Sequence, residues 1–131
     1  MPITYRIDPK AKLVRTQVEG LMSLEDALAH SYNLKTDPLF RPEFSELIDL
    51  TGFTGTDLHL EAMKAFARGL QGEVFSHHAR RAVVAPADSA FELSSQYRGL
   101  RSDSENFQVF HSMGEAMHWL GAASNKAMLF E

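Results

Sequence analysis

The chain contains no cysteine. Disulfides, thiolate metal sites and cysteine nucleophiles are therefore excluded, and with them any argument for an oxidising compartment. An excess of one charge is also missing: 13 Lys and Arg stand against 17 Asp and Glu, a net of −4, with no long run of either sign. Sequence-independent binding of nucleic acid needs clustered basic side chains facing phosphates, so nucleic acid is not an expected partner. No apolar run approaches the roughly 20 residues that span a bilayer, so no membrane span is expected. The opening MPITYRIDPK meets charge by residue 6 and has no apolar signal-peptide core. A cytoplasmic location is the expectation. Internal repeats, low-complexity stretches and interdomain linkers are absent, as are the GxSxG, P-loop and GxGxxG patterns. The short GFTG (52–55) lacks the Lys-Ser or Lys-Thr that a phosphate loop requires.

What is present is ordinary globular composition, 44% hydrophobic and 23% charged over 131 residues, long enough for one cored domain. The expected domain covers residues 1–122, with a tail at 123–131. Residues 4–8 and 13–19 alternate as half-buried strands around an Asp8-Pro9 turn, which predicts a hairpin ended by Gly20. Ser23 with Asp26 forms a capping-box pattern for a helix that Asp37-Pro38 stops. Residues 44–50 are a compact strand whose Leu47-Ile48 pair implies burial of both faces. A helix over 57–70 carries Leu60, Met63, Phe66, Ala67 and Leu70 as its stripe. A polar connection at 71–80 leads to a strand at 82–85, and Ser89 with Glu92 caps a helix to about Leu100. A strand at 107–110 and a helix capped by Ser112 and Glu115 close the chain. The order is ββαβαβαβα. It predicts an α/β fold with a mostly parallel mixed five-stranded sheet and one antiparallel edge strand from the N-terminal hairpin. Ligand sites in such sheets usually lie beyond the carboxyl ends of the strands, here near residues 20–22, 50–56, 86–89 and 111–112.

With that order in place, three segments carry a resemblance: VEGLMSLEDAL after the hairpin, SELIDLTGFTGTD at the central strand and loop, and QVFHSMGEAMHWL at the end. Together they resemble the SpoIIAA-like proteins, relatives of the STAS domains of anti-sigma-factor antagonists, from Tyr5 to Leu120. The resemblance implies a mixed sheet flanked by helices and a regulatory or binding role. The antagonists are switched by phosphorylation of a serine at the start of the helix after the central strand. Laid on their pattern, Asp49, Thr51, Gly52 and Asp57 fit. Leu58 and His59 stand where the two serines belong, and Leu60 replaces the expected glycine. The phosphoacceptor is missing, which argues against that switch.

The loop after the central strand is nonetheless the expected binding region: Asp49, Thr51, Gly52, Thr54, Thr56, Asp57 and His59. Its threonines read first as helix caps, with Asp57 complementing the helix dipole, and Asp49 reads as a partner for loop amides. Arg80, Arg81, Arg98 and Arg101 bracket the fourth strand and third helix. Of these, Arg81 and Arg98 are the candidate anion contacts, against a solvated edge as the plainer account. Glu115 and His118 form a lone ExxH, and His77-His78 would point apart on a regular element, so no metal is expected. Ser94 and Ser95 read as solvated helix positions. Phe91 and Tyr97 lie off one stripe, so at least one should face a pocket or partner. Met128, Leu129 and Phe130 in the tail read as a docking segment or as disorder. No catalytic residue can be named and no cofactor is expected.

Two functions follow. The first is a non-enzymatic regulatory or protein-interaction module, expected as a homodimer or with a protein partner. It predicts a contact surface around residues 51–59 and no deep pocket. The second is a small-molecule or lipid carrier resembling the CRAL-TRIO domains, which predicts a closed apolar cavity of a few hundred Å3 for a small apolar ligand.

Overall fold

The Asp8 carboxylate accepts the backbone N–H groups of Lys10 and Ala11, each at 3.1 Å, and Lys12 adopts a φ of 54°. This turn folds β1 (Ile3–Asp8) back on β2 (Leu13–Val18), with Asp8 opposite Leu13 and Ile3 opposite Val18. The computed structural model describes residues 2–67 and 74–129, with side chains up to residue 121. After β2 come β3 (Gly20–Met22), α1 (Leu24–Thr36), β4 (Ser45–Asp49), β5 (Phe53–Thr56) and α2 (Leu60–Ala67). Then follow β6 (Arg81–Val84), α3 (Asp88–Leu100), a 3-10 turn at Ser104–Asn106, β7 (Phe107–Phe110) and α4 (Met113–Leu129).

The main sheet has the order β1-β2-β4-β6-β7, with β1 antiparallel to β2 and every other pair parallel. This is the five-stranded mixed sheet that the alternation of patterns predicts. Period two then sorts the side chains. On one face Leu47, Ala82 and Val84 pack against Ala116 and Leu120 of α4. On the other face Val14 meets Leu34 of α1 together with Phe40, Phe44 and Phe75. Val83 and Phe107 meet Ala90 of α3 on that same side. Three helices therefore cover one face and a single helix covers the other.

The structure departs from the sequence expectations in four places, one of them α4, which runs on to Leu129 across most of the expected tail at 123–131. β2 stops at Val18, just before Gly20 as expected, but Gly20 does not lead into a loop; with a φ of 72° it turns the chain out of the main sheet into β3. There β3 pairs in parallel with β5, a segment that reads as loop because Thr54, Gly55 and Thr56 follow Phe53. Gly55, at a φ of 149°, sits beside Leu21, whose Cδ2 would be 3.4 Å from a Cβ at that position. The third departure is α2, which starts at Leu60 rather than Asp57 because residues 53–56 are held in strand. Leu70 lies outside the described residues. The fourth is α3, which begins one residue before Ser89. Ala87 occupies its cap without a side-chain hydrogen bond, so the Ser89/Glu92 box does not form. Pro86 holds the chain extended up to that point, and Asp88 supplies the acid of the first turn.

The box at α1 forms in full, whereas at α4 Ser112 caps the helix but Glu115 takes the Ser112 hydroxyl rather than its backbone N–H. Ser23 Oγ accepts from Asp26 N–H at 3.1 Å, and the Asp26 carboxylate accepts from Ser23 N–H at 2.9 Å. Ser112 Oγ accepts from Glu115 N–H at 3.2 Å. Replacing Ser23 with alanine should lower stability by about 1 kcal/mol, the usual worth of an N-cap. A urea midpoint that falls with an unchanged m value would show it, and an unchanged midpoint would refute it. The docking of Met128, Leu129 and Phe130 lies outside the described side chains. Among the described residues no helix is long and apolar enough to cross a membrane.

Candidate functional site

One row of the sheet carries the site. The pairing register aligns Val14, Glu46, Arg81 and Phe107 across β2, β4, β6 and β7, on the face covered by α1 and α3. Glu46 and Arg81 are thus direct cross-strand neighbours, where opposite charges stabilise a sheet. Arg81 Nε donates to Glu46 Oε1 at 3.0 Å, and Nη2 lies 2.9 Å from the same oxygen. The other oxygen, Oε2, accepts the Thr16 hydroxyl at 2.7 Å and has His30 Nε2 at 3.4 Å. Glu46 is 1% exposed. Burial alone would push its carboxyl up, but Arg81, His30 and Thr16 together outweigh that and hold it down at about 2.

Arg81 is clamped as well as paired. Its guanidinium carbon lies 4.7 Å from the Phe75 ring centre and 5.2 Å from that of Phe107. Arg101 leans on the same Phe107 ring at 5.2 Å and is fixed by Asp103, through Nε at 2.7 Å and Nη2 at 2.9 Å. Its Nη1 donates to Tyr97 Oη at 3.2 Å. His30, from α1, meets Tyr5 edge to face with ring centres 5.6 Å apart.

These groups border a cavity of about 250 Å3 between the sheet and the three helices on this face. Most of its wall is apolar, including Met22, Leu34, Ile48, Phe53, Met63 and Phe66. The polar part includes Thr16, His30, Glu46, Arg81, Tyr97 and Arg101, with the hydroxyls of Ser31, Thr56 and Ser94. Such a cavity, apolar with a few convergent polar groups and one strongly shifted carboxyl, has the make-up of a ligand site. Its polar part lies at the amino ends of β4, β6 and β7, because Glu46, Arg81 and Phe107 are the first or second residues of those strands. The expected place, beyond the carboxyl ends, is not where the polar groups gather.

The loop residues named from sequence lie mostly elsewhere. Asp49 Oδ1 accepts the Thr51 N–H at 2.8 Å and also the Thr51 hydroxyl, closing the turn after β4. Gly52 is exposed and gives its carbonyl to Gly20 N–H at 2.8 Å. Thr54, Asp57 and His59 are exposed. Thr56 is the member of the set that borders the cavity; its hydroxyl donates to Met22 O at 2.6 Å and accepts Leu58 N–H at 3.1 Å.

The four arginines divide. Arg81 and Arg101 face the cavity, whereas Arg98 Nε donates to Phe107 O at 2.6 Å and Arg80 Nη1 donates to Trp119 O at 2.9 Å. Arg98 is thereby tied to the backbone of β7 and does not line the cavity. Ser94 is buried at the cavity rather than solvated, while Ser95 is exposed. Tyr97 faces the cavity, and Phe91 instead stacks flat on His111 with ring centres 3.8 Å apart. Among the described residues no group of three His, Asp or Glu is placed to hold a metal.

Glu46 was within reach of the sequence. The Leu47-Ile48 pair already implies burial of both faces, and period two puts Glu46 on the face of Ile48. A carboxylate at a buried position of a central strand needs a cation beside it.

Neither family models nor curated proteins match this chain. Among solved structures it is similar to an uncharacterised protein of the DUF3478 family from Shewanella loihica PV-4, described as having a SpoIIAA-like fold. The match has a TM-score of 0.58 at 20% identity and covers 90% of this chain and 91% of the other. At that identity the likeness concerns the fold, which is SpoIIAA-like.

Proposed function

We propose that this chain is a non-enzymatic regulatory module of SpoIIAA-like fold, set by a small molecule in its interior cavity rather than by phosphate on a serine. The cavity carries the reading. A module working through surface contacts alone has no use for about 250 Å3 of mostly apolar space with a charged pair, Glu46 and Arg81, on its wall. Catalysis is not what this cluster favours. A general base works best with a pKa near the operating pH, and Glu46 at about 2 is far below it. Leu58 and His59 supply no hydroxyl for the phosphate switch. Leu21, 72% exposed on β3, and Leu60, 54% exposed at the start of α2, support an output through contact with a protein partner or a second copy. A carrier resembling the CRAL-TRIO domains would use the same cavity and ranks second, since nothing beyond the cavity speaks for it.

Native mass spectrometry of the freshly purified full chain tests the reading. The expected result is a small non-covalent adduct that disappears on denaturation and is absent from Ser94→Leu, where the larger side chain occupies the cavity. Bare protein that also gains no thermal stability from any apolar or amphipathic compound in a panel would overturn it.

A further inference from the structure

The cavity has a lopsided hydrogen-bonding wall. Glu46 on the wall and Asp103 behind Arg101 are both already occupied by the protein's own donors. Glu46 Oε1 takes Arg81 Nε and Nη2, and Oε2 takes Thr16 and His30. Those four contacts match the roughly four lone-pair sites that a carboxylate has. Asp103 receives Arg101 on each of its oxygens. The hydroxyl protons of Thr16 and Thr56 are likewise directed at Glu46 and at the Met22 carbonyl. The guanidinium groups are not used up in the same way. Each has five N–H donors in a fixed fork, and the contacts above take two from Arg81 and three from Arg101. Among the described residues no buried side-chain nitrogen is without a partner. The rest of the Arg81 fork, on a side chain 18% exposed, is therefore open surface, and Arg81 borders the cavity. Among the charged groups, donors are left open and acceptors are occupied.

From this asymmetry, and resting on the cavity reading above, we infer that the ligand is an amphipathic monocarboxylic acid whose carboxylate docks on Arg81 and whose apolar body fills the space lined by Ile48, Phe53, Met63 and Phe66. A carboxylate matches the planar fork of an arginine, and a fork held between two aromatic rings is already oriented to receive it. An amine finds no open carboxylate here, only the neutral hydroxyl oxygens of Ser31 and Ser94. A phosphate dianion fits less well, because each arginine is neutralised by its own carboxylate and the cavity offers donors rather than net positive charge. The volume, about 250 Å3, is below the range that houses drug-sized compounds and suits a short or medium acyl chain or an aryl-substituted acid.

Calorimetric titration of the full chain with octanoate, octanol, octylamine, octyl phosphate and inorganic phosphate tests the inference. Octanoate should bind at least about tenfold more tightly than any other member of the set, and hexanoate and decanoate should bracket the preferred length. Because Arg81→Gln alone strands a buried carboxylate, the variant to use is Glu46→Gln with Arg81→Gln, which leaves no unpaired charge. In it octanoate should fall to the affinity of octanol, while octanol is unchanged. Equal binding of octanol and octanoate to the natural chain would overturn the carboxylate and leave the cavity reading standing. Tighter binding of octylamine or octyl phosphate would overturn it as well. Failure of every chain-bearing compound to bind would overturn both.

Discussion

Arg81→Gln should lower the unfolding free energy by about 3–5 kcal/mol, the cost seen when one partner of a buried ion pair is removed. The size follows from what stays behind. Glu46 is 1% exposed, and without Arg81 only Thr16 and His30 would face its charge. The converse change, Glu46→Gln, should cost less. Arg81 borders the cavity, retains the Phe75 and Phe107 rings on its guanidinium, and finds a carbonyl oxygen where the carboxylate was. The double substitution should be less destabilised than Arg81→Gln alone, since it leaves no unpaired charge in the sheet. Urea titrations of the four proteins close the cycle. Costs that add to within about 0.5 kcal/mol would mean that the two groups act independently and that the pair does not organise the site.

That pair also shows what the sequence did and did not make legible. Strand and helix patterns are local, so the hairpin, the main strands and the Ser23 and Ser112 caps could be read residue by residue. The partnership of Glu46 with Arg81 is not local. It depends on the parallel register of β4 and β6, and a slip of one residue would turn Arg81 to the α4 face. Sequence alone could mark both residues as charges at strand positions with buried neighbours, without saying that they meet. The β3–β5 ladder was hidden for a related reason. Leu21 and Gly55 are partners across the intervening α1 and β4, and Gly and Thr carry turn propensity that only tertiary pairing overrides. Ser94 was misplaced by composition. Ala90, Ser94 and Tyr97 recur at helical spacing, and following that stripe from Ala90 would have put the serine inside. The threonine and glycine loop fits a family pattern, whereas the structure gathers Glu46 and Arg81 at the opposite ends of the strands.

The same carboxyl should make the protein sensitive to acid in a way that a variant can isolate. In the folded chain Glu46 titrates at about 2, below its ordinary value of 4.5. The unfolded chain therefore takes up the proton first as pH falls. A lowered folded pKa contributes stability that is fully present above the unfolded value and is lost as pH drops toward the folded one. Between those limits the loss approaches about 1.4 kcal/mol per pH unit, or about 3 kcal/mol in all. Asp26 and Asp103 are also held below their ordinary values, Asp26 by the Ser23 cap and Asp103 by Arg101 against the opposing effect of burial. Their contributions have the same sign, so the natural chain alone cannot isolate Glu46. Glu46→Gln keeps those two groups and removes only the central one. The stability gap between the natural chain and Glu46→Gln should be widest at neutral pH and shrink by about 3 kcal/mol as pH falls from about 5 to about 2. A gap that stays constant across that range would mean that Glu46 is not held ionised by Arg81, and the asymmetry of the cavity wall would lose its support.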